Sequence, residues 1–146
     1  MTMYKRVLIP TDGSDITDKA VVTAVALAKL CGASLVTLSV KEPFPYSAIS
    51  EMQPVPPQEF YDAQERIAAG RVKRVMEAAK AEGVNCEGAT VEAMHPWEAI
   101  LDAAKQKQCD VIVMASHGRK GMAALLIGSE TNKVLTHSPL PVLVVR

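Results

Sequence analysis

The chain has little of what marks a secreted, membrane or catalytic protein. It holds three cysteines, Cys31, Cys86 and Cys109. They are odd in number and far apart, which argues against a disulfide framework or a CxxC metal site. A reducing cytoplasm fits such usage, with all three as inert thiols. The N-terminus leads straight into a strand and lacks the apolar region of a signal peptide. No apolar run approaches the roughly 18 residues of a membrane span. The formal net charge is +0, so neither a nucleic-acid footprint nor a polybasic membrane surface is expected.

Catalytic signatures are missing too. There is no GxxxxGK[ST], which excludes a P-loop NTPase, and no GxGxxG after the first strand. There is no GxSxG elbow. The HxGH of nucleotidylyl transferases is absent, and so is the serine-glycine-glycine loop of carboxylate-activating relatives. Glu92, Glu98 and Asp102 form no defensible paired-carboxylate geometry. His95 and His137 read as structural, at a helix start and a helix end.

What is present is ordinary globular material. At 146 residues, with 49% hydrophobic and 22% charged side chains, the chain suffices for one domain with a sizeable core. Residues 4–10 read as a first strand, apolar on both faces at Val7-Leu8-Ile9, hence central. Ser14 or Asp15 suits an N-cap. A helix to Cys31 follows, with Ile16, Ala20, Ala24, Leu27 and Cys31 on one stripe and Gly32 as its stop. Residues 34–40 read as strand two. Five prolines between 41 and 57 forbid a regular helix there, so a surface excursion or a lid is expected. A long helix spans 58–82, its buried face expected at Phe60, Ala63, Ile67, Val75 and Ala79. Residues 84–91 suggest an edge strand, and Pro96 opens a short helix to Gln106. Ile100, Leu101 and Ala104 should face the sheet. Val111–Ala115 forms strand four, and 141–145 strand five. Alternation of this kind gives a parallel sheet with helices on both faces.

The most informative stretch runs from Asp110 to Ser129. A short buried strand feeds a glycine-containing loop with two cations, Arg119 and Lys120. The loop ends at a helix starting with Gly128-Ser129 and reaching His137. Glycines admit close backbone approach, and a helix N-terminus favours anions, so phosphate is the expected ligand. His117 is the loop's only histidine. It has no partner in the sequence to set its tautomer, so packing outweighs a catalytic role.

The spacing is specific. Ser116-His117 precede Gly118, nine residues separate Gly118 from Gly128, and Ser129 follows. This resembles the nucleotide-binding motif of the universal stress protein (UspA) family, ATP-binding branch. That motif reads Gly, two residues, Gly, nine residues, Gly, then Ser or Thr. The departure is Ala115, where the family has its first glycine. Its extra methyl is expected to stand at the pocket wall. The stretches Val7–Ser14 and Pro139–Val145 resemble the family as well, so the likeness covers the whole chain.

The resemblance implies an open, five-stranded Rossmann-like α/β fold with strand order 3-2-1-4-5. It implies that Pro10, Thr11 and Asp12 line the adenosine side, with Asp12 reaching a ribose hydroxyl or a metal-bound water. It implies a backbone contact to adenine from Val40. Phosphate and ribose contacts are expected at Gly118, Gly128 and Ser129. The full expected set adds Met114, Ala115, Ser116, His117, Arg119, Lys120, Gly121 and Glu130. The expected ligand is ATP, with Mg²⁺ held by the phosphates and no protein metal site. The expected role is a stress-response regulator acting through a protein partner without strong catalysis. A homodimer through the edge strand at 142–145 is expected from its two apolar faces and from the family. The alternatives are a slow ATPase or phosphotransferase using His117 or Ser129, and a relative without nucleotide that acts by protein contact.

Overall fold

A computed structural model describes residues 3–44, 57–118 and 126–146. Nine elements alternate along the chain: β1 (Arg6–Pro10), α1 (Asp15–Cys31), β2 (Ser34–Lys41), α2 (Gln58–Ala81), β3 (Cys86–Glu92), α3 (Pro96–Gln106), β4 (Val111–Ala115), α4 (Ser129–His137) and β5 (Val142–Val145). The five strands are all parallel, in the order β3-β2-β1-β4-β5. The expected order therefore holds.

Local chemistry sets the boundaries. Ser14 caps α1, its hydroxyl accepting from the Thr17 N–H at 3.3 Å. Gly32 ends α1 in the left-handed region at φ 67°, where a side chain would be strained. Pro96 starts α3, where its missing N–H has no partner to lose.

Helices on the two faces make two cores. Under α1 and α2 lie Val7, Ile9, Leu35, Val111 and Val113 with Ala20, Ala24 and Val75. Under α3 and α4 lie Leu8, Val36, Leu38, Ile112 and Met114 with Ile100, Ala104 and Val134. The alternation follows from the two-residue period of a strand. Leu101 packs against the second core, as expected.

One expectation needs correcting. The buried residues of α2 are Ala68, Val72, Val75 and Ala79, and Ile67 is 48% exposed. The smaller neighbour Ala68 faces the sheet because α2 lies close on β3. A Cβ at Gly88 would overlap the Val72 Cγ1 methyl. Phe60 instead packs edge-on against Phe44, centroids 4.9 Å apart. The expected lid falls mostly at 45–56, outside the described residues. Among those residues no helix is long and apolar enough to cross a membrane.

Candidate functional site

β1 and β4 are adjacent, and the chain leaves them in opposite directions across the sheet. Their carboxyl ends therefore open a crevice, the usual ligand position in such sheets. Two loops meet there.

The first is the β1–α1 turn. Pro10 ends the strand, and the N–H of buried Thr11 donates to the Leu38 carbonyl at 2.8 Å. The Asp12 carboxylate is heavily engaged through Oδ1. That atom accepts from Ser14 N at 3.0 Å, Ser14 Oγ at 2.6 Å and Thr17 Oγ1 at 2.7 Å. Asp12 thus gathers the head of α1 without being its N-cap. Its other oxygen, Oδ2, lies 2.6 Å from the position a Cβ would take at Gly118. The carboxylate spans the two loops, and any side chain at Gly118 would displace it.

The second is the β4–α4 loop. The Ser116 N–H donates to Val145 O at 2.8 Å, tying the loop's start to β5. The Gly128 N–H donates to Ser116 O at 2.7 Å, which closes the loop on itself. A Cβ at Gly128 would stand 3.1 Å from His117 Cα and 3.2 Å from its Cβ. Neither Gly118 nor Gly128 has positive φ. Both are glycine because another group passes too close, not because the backbone is twisted. Thr131 Oγ1 donates to Ala115 O at 2.8 Å, pinning the first turn of α4 under the strand. Gly128 is the N-cap of α4, so Ser129 is its first residue and not its cap. The first bond of α4 runs from Asn132 N to Gly128 O at 2.9 Å. The N–H groups of Ser129, Glu130 and Thr131 have no acceptor within the helix and face the crevice end of β4.

The remaining expected residues divide. Ser116 is buried, with Oγ 3.2 Å from Nδ1 of half-buried His117. The Ala115 methyl packs into the core under α1. Met114 is likewise core, on the opposite face. The Glu130 carboxylate turns away and accepts from Trp97 N at 2.9 Å, satisfying the start of α3. Arg119, Lys120 and Gly121 lie outside the described residues.

The contact expected of Val40 is a backbone one. β1 pairs with β2 only as far as Pro10 opposite Leu38, while β2 runs on to Lys41 alongside β3. Leu38 O faces β1, and Lys41 O faces β3, where it accepts from Ala93 N. In a parallel strand successive residues alternate between neighbours. The Val40 N–H and C=O therefore both face the β1 side, beyond the end of that ladder. Sequence reasoning without the resemblance could not find this donor–acceptor pair, because it depends on where a neighbouring strand stops.

The arrangement thus offers a backbone donor and acceptor at β2, a carboxylate between two loops, and helix N–H groups at α4. Among the described residues no cluster of three or more histidine, cysteine, aspartate or glutamate side chains could hold a metal.

Comparison with known proteins agrees with this geometry. The model of the universal stress protein family matches residues 3–146. A universal stress protein of Thermus aquaticus, encoded in the QAH/OAS sulfhydrylase 3′ region, is 34% identical over 145 residues. The match covers 99% of this chain and all of that relative. The solved structure of MJ0577 superposes with a TM-score of 0.83 at 27% identity, covering 99% of this chain and 96% of the other. MJ0577 is a universal stress protein of Methanocaldococcus jannaschii. A universal stress protein solved in complex with cAMP superposes at 0.74 with 26% identity, covering 99% of each chain. With the fold, the strand order and the loop spacing in agreement over the whole length, the chain belongs to the universal stress protein family.

Proposed function

We propose that the chain binds an adenine nucleotide, ATP with Mg²⁺ carried on the phosphates, in the crevice between β1 and β4. Adenine pairs with the Val40 backbone, whose donor and acceptor match the ring edge. The ribose lies between Asp12 and Gly118. The phosphates meet the N–H groups at the start of α4, with Arg119 and Lys120 adding charge. The bound state serves as a regulatory signal in the cytoplasm, read by a protein partner, and two copies pair along β5. The cAMP complex of a relative supports an adenine nucleotide as the ligand class.

The observation that carries the reading is the crowding at Gly128. Its N–H is spent on Ser116 O, so the glycine serves by lacking a side chain. That absence brings His117 against the start of α4 and keeps the helix N–H groups open. Gly128→Val should push the loop off the helix and abolish ATP binding in calorimetry, with folding checked by circular dichroism. The loss of one charge-assisted hydrogen bond alone is worth roughly 1.5–3 kcal/mol, or about ten- to a hundredfold in affinity. Ala115→Gly should leave affinity within a few-fold, because its methyl packs into the core. A Gly128→Val protein that binds ATP like wild type overturns the site.

Binding is proposed without strong turnover. Among the described residues His117 has a serine hydroxyl beside Nδ1 and no carboxylate bonded to it to orient it as a base. His117→Ala should leave any hydrolysis within a few-fold of wild type. A loss of about a hundredfold or more, roughly what a general base contributes, would make the chain an ATPase instead.

A further inference from the structure

We propose that Arg71, on α2, is a positioning residue for this site: it braces the β1–α1 turn so that Asp12 meets the ribose. The inference rests on the nucleotide reading above.

The contact at Gly13 carries it. Gly13 follows Asp12 and has φ 77°, a conformation that strains any side chain. The space a Cβ would occupy there is filled. Arg71 Cγ and Nε lie 3.1 Å from that point, and Cδ lies 3.3 Å away. The stem of the arginine therefore rests on the turn one residue past the carboxylate.

The helix that carries Arg71 is itself tied to α1. Arg74, one turn further along, donates to Asp18 at 2.8 Å. The two arginines together hold α2 against the head of α1. The carboxylate they brace has little freedom of its own. Ser14, through its N–H and its hydroxyl, and Thr17, through its hydroxyl, donate to Asp12 Oδ1. The position of Oδ2 beside Gly118 thus follows the position of the turn.

Glycine is the most conformationally free residue, and the turn's own bonds, Gly13 N–H to Thr11 Oγ1 at 3.2 Å and Ser14 N–H to Asp12 Oδ1 at 3.0 Å, leave the open side of Gly13 to a contact from outside. The helix dipole does not favour a cation at this end of α1. The part of Arg71 that touches the turn at Gly13 is its stem, Cγ, Cδ and Nε, which packs there from outside the loop. A side chain with the stem and no charge should consequently do most of the work.

The test is calorimetry with AMP and with 2′,3′-dideoxyAMP, which lacks both ribose hydroxyls. Wild type should prefer AMP by about tenfold or more, the worth of a hydrogen bond to a carboxylate. Arg71→Ala should shrink that preference to within about twofold while leaving dideoxyAMP affinity unchanged. Arg71→Met should keep most of the preference. Urea unfolding of each variant shows whether the fold survives. Equal losses on both ligands in Arg71→Ala would mean general damage and overturn the inference. So would an unchanged preference, or Arg71→Met behaving like Arg71→Ala. A wild type that binds both ligands equally removes the ribose contact and the inference with it. A wild type that binds neither overturns the nucleotide reading itself. One that binds AMP while Arg71→Ala matches it overturns only the role of the arginine.

Discussion

β3 and β5 both end the sheet, yet they meet water with opposite surfaces. β3 reads Cys-Glu-Gly-Ala-Thr-Val-Glu, and its Glu87 and Thr90 side chains are tied down. Glu87 pairs with Arg6 at 3.2 Å and with Lys107. The Thr90 hydroxyl donates to Glu65, which also holds Lys41 at 2.7 Å. β5 reads Val-Leu-Val-Val, with Leu143 43% exposed. Leu135 of α4, the helix before it, is 38% exposed. Charge and ion pairs blunt an edge against pairing, while a bare apolar edge invites it. One edge is finished with charge, and the other is left apolar. The proposed homodimer therefore belongs to β5 and not to β3.

The sharpest way to break this contrast is to charge the apolar edge. Across a two-fold axis Val144→Lys sets like charges near one another, which costs several kcal/mol. Sedimentation should show a dimer weakened by about a hundredfold or more. A wild type that sediments as a monomer at high micromolar concentration overturns the pairing.

The charged edge should respond to acid. The Glu87 carboxyl is held below its ordinary range by hydrogen bonding to Lys107, with Arg6 adding to it. Glu65 is held down by Lys41 and Thr90. Both depressed groups contribute stability that is full above the unfolded value of 4.5 and lost as pH falls through their folded values. The urea midpoint should therefore drop as pH falls below 4.5, and Glu87→Gln should flatten that drop. Both carboxylates are exposed, so about 1 M salt should shrink the effect. A Glu87→Gln profile that overlies wild type would remove β3's ion pairs from the account.

The smallest effect sits beside that pair. Burial, and then the Glu87 charge, push the Cys86 thiol up to about 11. Its thiolate is scarce near neutrality, so alkylation should be slow and rise about tenfold per pH unit through the mildly alkaline range. Glu87→Gln should speed it slightly. Peptide mapping after iodoacetamide treatment reads this directly, and rapid labelling of Cys86 at neutral pH would contradict the sheltered edge.

Much of this architecture was legible before any coordinates. Val7-Leu8-Ile9 and Val111–Ala115 are apolar on both faces, and both strands are central. Gly32 ends α1 as expected. The α2 register was harder. Ile67 is the larger apolar side chain, but the close approach of α2 to Gly88 selects Ala68 and Val72 for the buried face. Hydropathy alone does not report how near two elements come. The site shows the same division. The spacing from Gly118 to Gly128 was visible, whereas the reason for each glycine lies in Asp12 and His117. Glu130 stands in the motif by position, yet its carboxylate serves Trp97 N, 33 residues away in the chain.

By itself the sequence determined the elements, their alternation and the parallel sheet that alternation requires. Those features rest on residue size, polarity and φ preference over a few neighbouring positions. Tertiary structure alone decided which backbone groups were left over. β1 stops opposite Leu38 and leaves the Val40 N–H and C=O facing its side, Gly128 spends its N–H on Ser116, and Arg71 rests on Gly13. Each depends on where a distant strand or helix ends. A hydrogen-bonding group is satisfied or open according to its neighbour in space, and no local pattern in the chain encodes that neighbour.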